Sequence, residues 1–578
     1  MYRRFTVSAL IVAAGGLLLI RGSAAERPVV GRGEPLAADS GVKASEPPRS
    51  AGDRWSSEGA RPPAASLSVR PGQLIPARVR RLSNAEYDGS VRALLGGDVR
   101  LGRDFAPDAR QAGFTENEAQ RVDTVLAMQL SAAAEKLATE ARRSFPLIAR
   151  CETPSQPEVC ARSFIASFGA RAYRRPVTPE EAAGLLEVYR AGAQDATYQD
   201  GVELVVRALL QSTGFLYLTE LGDPLLSDAS TVRLSGEELA SSLSYLVTGG
   251  PPDRELRELA AAGALESPDV RRSQLRRLRA EHPESRERLV RVLREWLQID
   301  AIENTAKDVA FYPSYELLWK YFIEESHAFV GAVLDRKPDQ SSDLTTLLSA
   351  DWTVGNKNLG TFYEAKELGD GRLQQPKRRG ILNQGAFLSV QSHTRSSAPV
   401  LRGAVIARRL ACIPVPSPAT IGLSPLPPPP DPSLTTRQRF DLHATNPMCA
   451  DCHASIDDFG NTFEHYDGMG GFRETEGTAA VDSKATVALG ADFDGAYADS
   501  NALAEALARS PTVRECFARY MFRAASARSN ESSGSTDRSS EDGFIAEWRR
   551  LPEVAQGNVM DTLEALVGSH YFTQRRVR

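Results

Sequence analysis

Five consecutive residues in the C-terminal part of this chain, 449–453, constrain it more than any other segment, because they read Cys-Ala-Asp-Cys-His. Two thiols three residues apart can form thioethers with the two vinyl groups of a haem, and the histidine that follows is placed to bind the iron. The sequence therefore predicts one covalent haem c, with Cys449 and Cys452 as attachment sites and His453 as the proximal iron ligand.

The first 25 residues predict the compartment. Arg3 and Arg4 precede an apolar stretch over residues 5–20, and small residues follow at 22–25. This is the pattern of a secretory signal peptide, and the alternative is a retained N-terminal anchor. No later stretch approaches the roughly 18–20 apolar residues of a membrane span. We expect an exported protein, periplasmic or extracellular, without a transmembrane segment in the mature chain.

The cysteine count is consistent with an oxidising compartment. The chain has six cysteines, so four remain outside the 449–453 segment: Cys151, Cys160, Cys412 and Cys516. An even remainder in an exported protein suggests disulfides, and four cysteines allow three pairings. The short spacing favours Cys151 with Cys160, which leaves Cys412 with Cys516 on either side of the 449–453 segment. The alternative is buried free thiols.

Helix signals recur along the chain and strand-like alternation is scarce. Capping boxes begin at Ser83, Thr178 and Ser235, each with a glutamate three residues later. Apolar periodicity predicts further helices over 122–144, 202–216, 285–297, 315–334, 435–442, 499–509, 512–523 and 559–567. The Ser-rich stretch 529–542 is predicted to be a mobile loop. The fold class is mainly α, a multidomain helical protein with a C-terminal cytochrome-c-like haem region.

Composition shifts divide the chain into segments. Residues 26–73 are rich in Pro, Ser and Gly and are predicted to be a disordered linker. The predicted domains that follow are an N-terminal helical domain (74–145), a helical domain with Cys151 and Cys160 (146–225), a central helical domain (230–370), the haem-binding domain (376–475) and a C-terminal helical domain (490–575).

Several short motifs resemble one known family. The motifs are residues 81–87 leading to 94–96, then 172–176, 379–382, 392–393, 399–403, and the 449–453 segment with Ile456, Asp457, Gly460, Phe463, Glu464, Tyr466, Asp467, Gly470 and Arg473. They resemble the large exported planctomycete-type proteins, which are built from consecutive domains of unknown function with a cytochrome-c-like haem motif. Asp458 and Ala398 depart from the family pattern, where Pro and Ser are expected. The resemblance implies an architecture and a haem, and names no reaction.

The sixth iron ligand decides what such a haem can do. A second strong ligand favours electron transfer, whereas an open position permits small-molecule or peroxide chemistry. His393 is the first candidate, because it lies in a motif shared with the family, and a surface or capping histidine is the alternative. Met469, in a Gly-rich loop, is the second. The remaining candidates are His443, His465 and Met521, of which Met521 is expected in the core.

Two weaker groups of residues accompany the motif. Arg174–Arg175 and Arg378–Arg379 suit haem propionates, because guanidinium groups pair with carboxylates, although structural ion pairs are the stronger interpretation. The acids Asp457, Glu464 and Asp467 can orient His453 or bind a cation, and turn formation is the alternative.

Three functions remain open at this point. The first is electron transfer with a redox partner protein, the second is a peroxidase-like oxidoreductase with an open haem site, and the third is a non-haem binding or scaffold protein with a Cys-x-x-Cys disulfide or metal site. Whether the chain is an enzyme stays open. The net charge of -5 and pI near 6.0 give no support for nucleic-acid binding. Hydrolase and nucleotide-binding motifs are absent from the sequence.

Overall fold

The computed structural model describes residues 74–577, except 224, 226, 229, 337–341, 416–430, 432, 445–449, 451–452, 454–455 and 528–534. The predicted signal peptide, the predicted linker and both motif cysteines, Cys449 and Cys452, lie outside the described residues. The domain boundaries stay predictions. None of the described helices is long and apolar enough to cross a membrane.

The described chain is mainly α, which confirms the predicted fold class. The first helices are α1 (Asn84–Leu95), α2 (Thr124–Ala141), α3 (Phe145–Ile148), α4 (Pro157–Tyr173), α5 (Pro179–Ala193), α6 (Tyr198–Gln211) and α7 (Thr213–Leu216). The central helices are α8 (Gly236–Thr248), α9 (Arg254–Ala261), α10 (Pro268–Glu281), α11 (Glu284–Trp296), α12 (Tyr315–Leu334), α13 (Asp343–Ser349) and α14 (Lys357–Tyr363).

The C-terminal part carries the remaining helices. These are α15 (Gly385–Val390), α16 (Pro399–Arg409), α17 (Thr436–Ala444), α18 (Asp457–Asn461), α19 (Ser500–Arg509), α20 (Pro511–Ser526), α21 (Ser535–Trp548), α22 (Glu553–Gln556), α23 (Val559–Gly568) and α24 (His570–Thr573). Short 3₁₀ helices cover Leu101–Asp104, Arg142–Ser144, Ala264–Glu266, Ile299–Asn304 and Ile381–Asn383. The predicted loop over 529–542 is therefore wrong from Ser535 onward, where α21 begins.

The strands are short, and two of their pairs, 78–81 with 217–220 and 231–233 with 574–576, join residues that are far apart in the sequence. They are β1 (Arg78–Arg81), β2 (Tyr217–Glu220), β3 (Thr231–Arg233), β4 (Trp352–Val354), β5 (Lys366–Gly369), β6 (Arg372–Gln374), β7 (Thr475–Glu476), β8 (Ala479–Ala480), β9 (Ala485–Val487), β10 (Gly495–Tyr497) and β11 (Gln574–Arg576). The antiparallel pairs are β1–β2, β3–β11, β7–β8 and β9–β10, and the order β4–β6–β5 forms a three-stranded sheet. The β3–β11 pair ties the end of the chain to its middle.

All three predicted capping boxes form. The Ser83 hydroxyl accepts the Glu86 N–H, and the Glu86 carboxylate accepts the Ser83 N–H, which starts α1. Thr178 with Glu181 and Ser235 with Glu238 start α5 and α8 in the same way. Each box satisfies backbone N–H groups that a helix start leaves without intrahelical partners.

Buried side chains fall into two large clusters. One runs from Tyr87 to Leu216 and holds the apolar faces of α1, α2 and α4–α7. The larger cluster runs from Ala112 to Phe572 and includes both α16 and α18. The segment that follows the Cys-x-x-Cys-His motif is therefore part of the main core.

Both disulfides favoured by the cysteine count are present. Cys151 is bonded to Cys160, and Cys412 is bonded to Cys516. The second bridge joins the segment after α16 to α20, so it connects the two sides of the 449–453 segment. Its Cys516 end is buried in the main core, where the adjacent Phe517 packs edge to face on Trp296.

Glu325, on α12, gives the fold a distinct pH dependence. Its buried carboxyl accepts hydrogen bonds from Thr353 Oγ1 at 2.8 Å and Tyr363 Oη at 2.6 Å. Burial raises the pKa of Glu325 from 4.5 to about 7, against the lowering effect of these bonds and of Arg378. The folded state therefore binds more protons than the unfolded state between these values, and stability falls as pH rises through that window.

Replacing this carboxyl by an amide should remove the pH dependence. We expect Glu325→Gln to match the parent near pH 4.5 and to exceed its stability by about 3 kcal/mol at pH 8, since one pKa unit corresponds to about 1.4 kcal/mol. Urea unfolding of both proteins across this range measures the difference between their free energies of unfolding. The contributions of the other titrating groups are the same in both proteins and cancel in this difference. A difference that does not change with pH would show that Glu325 titrates normally.

Candidate functional site

The predicted proximal ligand, His453, is held by a carboxylate four positions later in the sequence. Its Nδ1 donates to Asp457, with distances of 2.9 and 3.0 Å to the two carboxylate oxygens. Asp457 is the first residue of α18, so the local helix sets this contact. A carboxylate on one ring nitrogen fixes the tautomer and orientation of a metal-binding histidine. The arrangement makes Nε2 the nitrogen that would coordinate iron.

Two glycines allow α18 to lie against α16 at backbone contact. A Cβ added at Gly460 would lie 1.8 Å from the Pro399 carbonyl oxygen, and one added at Gly403 would lie 1.9 Å from the Ile456 carbonyl oxygen. Neither position has room for a side chain. This close approach fixes the segment after His453 against α16.

Adding a methyl group at Gly460 should therefore destabilise the site. We expect Gly460→Ala to lower the free energy of unfolding by about 1–3 kcal/mol or more, because two backbones must separate. Gly184→Ala is the matched control, since Gly184 lies in α5 and an added Cβ there meets open space. The control should gain about 0.5–1 kcal/mol from the helix preference for alanine. Denaturant unfolding of both variants measures these changes. Equal changes in the free energy of unfolding at the two positions would contradict the close contact between α16 and α18.

Arg402, on α16, holds the loop that follows α18. Its fully buried guanidinium donates to the carbonyl oxygens of Phe463 (3.1 Å), Tyr466 (2.8 Å) and Asp467 (2.7 Å). Burial lowers the pKa of Arg402 to about 10, although the nearby Glu464 opposes this. A buried charge is costly unless it is paired and hydrogen-bonded, and Arg402 has both these carbonyl bonds and the Glu464 carboxylate 3.9 Å away.

The other two acids of the motif have structural partners. Glu464 accepts hydrogen bonds from Ser397 Oγ and Arg473 Nη2, both at 3.0 Å. Burial raises the pKa of Glu464, and Arg473 and Arg402 oppose this. Asp467 Oδ1 accepts the backbone N–H of Gly471 at 2.7 Å, which closes a turn. In the described part of the chain, Asp457 alone of the three bonds to His453.

His393 lies next to the helix that leads into the motif. Its ring is parallel to that of Phe440 on α17, with an interplanar angle of 3° and centroids 6.2 Å apart. Among the described residues, no hydrogen bond to its ring nitrogens is present. Burial lowers the pKa of His393 below 6.5, and the charges of Lys307, Arg439 and Arg402 lower it further. The ring is therefore neutral at neutral pH, which is the form that binds a metal.

Lys307 holds the backbone of the His393 turn. Its amine donates to the Ser392 and His393 carbonyl oxygens, at 3.3 and 2.9 Å, and to the Ser392 hydroxyl. Burial lowers the pKa of Lys307 to about 7, and Arg402 adds to this. Sequence analysis missed this residue, because it lies more than eighty positions from the turn and no local motif marks it.

The remaining ligand candidates have other surroundings. His465 Nδ1 donates to the Arg473 carbonyl oxygen at 2.9 Å, and its ring stacks on Phe472. Met469 packs partly buried against the main core, and Met521 is buried within that core. The side chain of His443, on α17, lies outside the described residues.

The four arginines proposed for propionates have structural partners. Arg174 donates to four backbone carbonyl oxygens, and Arg175 pairs with Glu181 at 2.7 Å. Arg378 donates to the Asn383 and Gly470 carbonyl oxygens, while Arg379 lies 3.5 Å from Glu505. These contacts favour a structural role for the four arginines over the binding of haem propionates. Among the described residues, no group of three or more His, Cys, Asp or Glu is arranged to hold a metal ion.

Four family models match consecutive parts of the chain, and each describes a protein of unknown function. PSD3 (DUF1587) matches residues 80–143, PSD5 (DUF1595) matches 160–220, PSD4 (DUF1592) matches 234–365 and PSCyt3 (DUF1588) matches 378–476. Four consecutive domains of these families are therefore present in the chain. Together they cover more than half of it, which confirms the predicted succession of domains of unknown function. His393, Arg402, His453 and Asp457 all lie within the PSCyt3 domain.

No curated protein and no solved structure matches the chain.

Proposed function

We propose that this chain is an exported c-type protein with one covalent haem, which passes single electrons between partner proteins. The contact between His453 and Asp457 carries the proposal. It joins the histidine of a Cys-x-x-Cys-His motif to a carboxylate that orients the ring for metal binding.

The disulfides support the compartment. Stable disulfides form in oxidising environments, and Cys151–Cys160 and Cys412–Cys516 are both bonded. The N-terminal pattern of a signal peptide agrees with export. The name of the PSCyt3 model agrees with a cytochrome-like character for residues 378–476.

The residues around the motif fit a haem. Cys449 and Cys452 would hold the macrocycle, His453 would bind the iron through Nε2, and Asp457 would keep the proton on Nδ1. A bound haem supplies one-electron redox chemistry. His393 would be the second iron ligand, because its ring is neutral, lies beside Phe440 of α17, and has its backbone held by Lys307.

Two histidine ligands would favour electron transfer over peroxide chemistry, because neither side of the iron is left open. The buried guanidinium of Arg402, on α16, holds the 463–467 loop against this helix. We expect the chain's own residues to bind and orient the haem, and the electron partners to be exported redox proteins.

Removing His393, the proposed second ligand, should leave one coordination position of the iron open. In the reduced parent protein we expect carbon monoxide to leave the absorption spectrum nearly unchanged. In His393→Ala it should bind readily and shift the spectrum, because the ligand that blocks the site is gone.

His465→Ala is the matched control for this experiment. His465 lies in the same domain, and its Nδ1 bonds to a backbone carbonyl oxygen, so its removal should leave the iron closed. Carbon monoxide binding to the parent protein would instead favour the open-site oxidoreductase. An unchanged spectrum in His393→Ala would remove His393 as the ligand.

A further inference from the structure

A small cavity of about 40 Å³ lies in a charged part of the interior, far along the chain from the motif. It is bounded by β1, β2, α8, α11, α20 and β11, so its walls come from both ends of the described chain. Its charged lining consists of Arg78, Arg80, Arg288, Arg575, Glu116 and Glu220.

Ion pairs connect these charges. Arg78 binds Glu220 through two hydrogen bonds of 2.7 and 2.9 Å, and Arg575 Nε donates to the same carboxylate at 2.7 Å. The positive charges of Arg575 and Arg78 hold the pKa of Glu220 well below its usual range, although burial acts in the opposite direction. Arg80 pairs in the same two-bond manner with Glu86, at 2.7 Å for each bond.

The second half of the cluster lies around Glu116. This carboxylate pairs with Arg288 and, at 2.7 Å, with Arg291. Glu295 lies beyond Arg291 and bonds to Thr115. Burial, and then the charge of Glu116, raise the pKa of Glu295 to about 7.

Positive charges exceed negative charges in this cluster. Five guanidinium groups share three carboxylates: Arg78, Arg80, Arg288, Arg291 and Arg575 against Glu86, Glu116 and Glu220. If Glu295 is counted as ionised, one positive charge is still left over. The side chain of Arg291 is 32% exposed, so water can solvate its charge, whereas the other four guanidinium groups are buried against three carboxylates. Since buried charges are costly unless they are paired, the cluster has room for one more negative partner when Glu295 is protonated.

Unused hydrogen-bond donors occur on the same residues. Nη1 of Arg78, and Nε and Nη1 of Arg288, are buried and make no hydrogen bond among the described residues. Arg78 and Arg288 are 3% and 4% exposed, and both line the cavity. Burial lowers the pKa of both guanidinium groups. Buried N–H groups without an acceptor are rare in native proteins, so an acceptor is expected beside them.

We propose that this cavity binds one small monovalent anion of the size of chloride, held by Arg78 and Arg288. The volume is sufficient, because a single water needs roughly 10–15 Å³. It is too small for a sugar or an organic acid. The anion would supply one more negative charge and join β1, α11 and β11 in one buried network.

Bromide can replace chloride and be located by its anomalous scattering. Crystals of the parent protein grown in sodium bromide should give one anomalous peak in the cavity, within hydrogen-bonding distance of Arg78 and Arg288. Density in the cavity without an anomalous peak would mean that only water fills it, and this result would overturn the proposal.

Thermal unfolding tests the same site in solution. At constant ionic strength, replacing gluconate by chloride should raise the unfolding temperature of the parent protein in a saturable way, because an anion that binds only the folded state stabilises it. Arg288→Met should lose this chloride dependence.

Arg271→Met is the matched control. Arg271 is equally buried and donates to the carbonyl oxygens of Val567 and Leu265, outside the cavity. The control should be less stable but keep the chloride dependence of the parent. Equal effects of chloride on the unfolding temperatures of all three proteins would overturn the proposal. Should Arg288→Met fail to fold, the bromide experiment on the parent protein tests the site alone.

Discussion

Replacing Cys449 and Cys452 together by alanine should abolish covalent haem attachment. The thioethers need both thiols, and without them haem can be held only through iron ligands, which denaturation releases. We expect the purified variant, made in a host with haem-attachment machinery, to show no haem absorbance after denaturation and removal of small molecules. The parent protein should retain one haem per chain under the same conditions.

The other cysteines provide the control for this experiment. Cys151→Ala with Cys160→Ala removes the short disulfide and leaves the motif intact, so haem should stay attached. Full retention of haem by the Cys449→Ala, Cys452→Ala protein would contradict the proposed attachment.

Loss of the Cys412–Cys516 bridge should cause a large loss of stability. The bonded residues are 104 positions apart. In the chain-entropy description, a disulfide that closes a loop of about 100 residues stabilises the folded protein by about 4.7 kcal/mol, because it restricts the unfolded chain. We expect Cys412→Ala with Cys516→Ala to lower the free energy of unfolding by several kcal/mol. Denaturant unfolding of parent and variant, both without reductant, measures the change.

The short bridge is the matched comparison. Cys151 and Cys160 are nine positions apart, so opening their loop should cost less, below about 3 kcal/mol. Cys516 is also buried, and alanine there leaves a small void in the main core. A larger loss from the short bridge than from the long one would contradict this account.

The local features of the fold could be predicted because they depend on neighbouring residues. The boxes at Ser83, Thr178 and Ser235 use a side chain and a glutamate three positions apart, and each starts a helix where predicted. The helix Tyr315–Leu334 has the predicted bounds because its apolar periodicity is uninterrupted. The predicted helix over 202–216 is divided at Ser212, whose hydroxyl caps a new helix.

The loop predicted over 529–542 was wrong from Ser535 onward for a physical reason. Its serines suggested a mobile segment, but α21 continues to Trp548 and buries Phe544, Ile545 and Trp548 against Phe522 and Tyr571. Tertiary contacts from the far end of the helix outweigh the weak preference of serine for helices.

The candidate site was predicted only where it is local. Asp457 was expected to orient His453, and the two residues are four positions apart in the sequence. Arg402 and Lys307 were not expected in their actual roles, because their partners lie 61–65 and 85–86 positions away. Long-range contacts between a buried cation and backbone carbonyl oxygens leave no pattern in a single sequence.

The mass of the denatured parent protein tests the central claim most directly. The chain should be produced in two hosts, one with and one without haem-attachment machinery, then reduced, denatured and measured by mass spectrometry. We expect the first sample to be heavier by one haem, and a peptide that contains residues 449–453 to carry the addition. Equal masses from both hosts, with Cys449 and Cys452 unmodified, would contradict the haem and favour a secreted binding or scaffold protein.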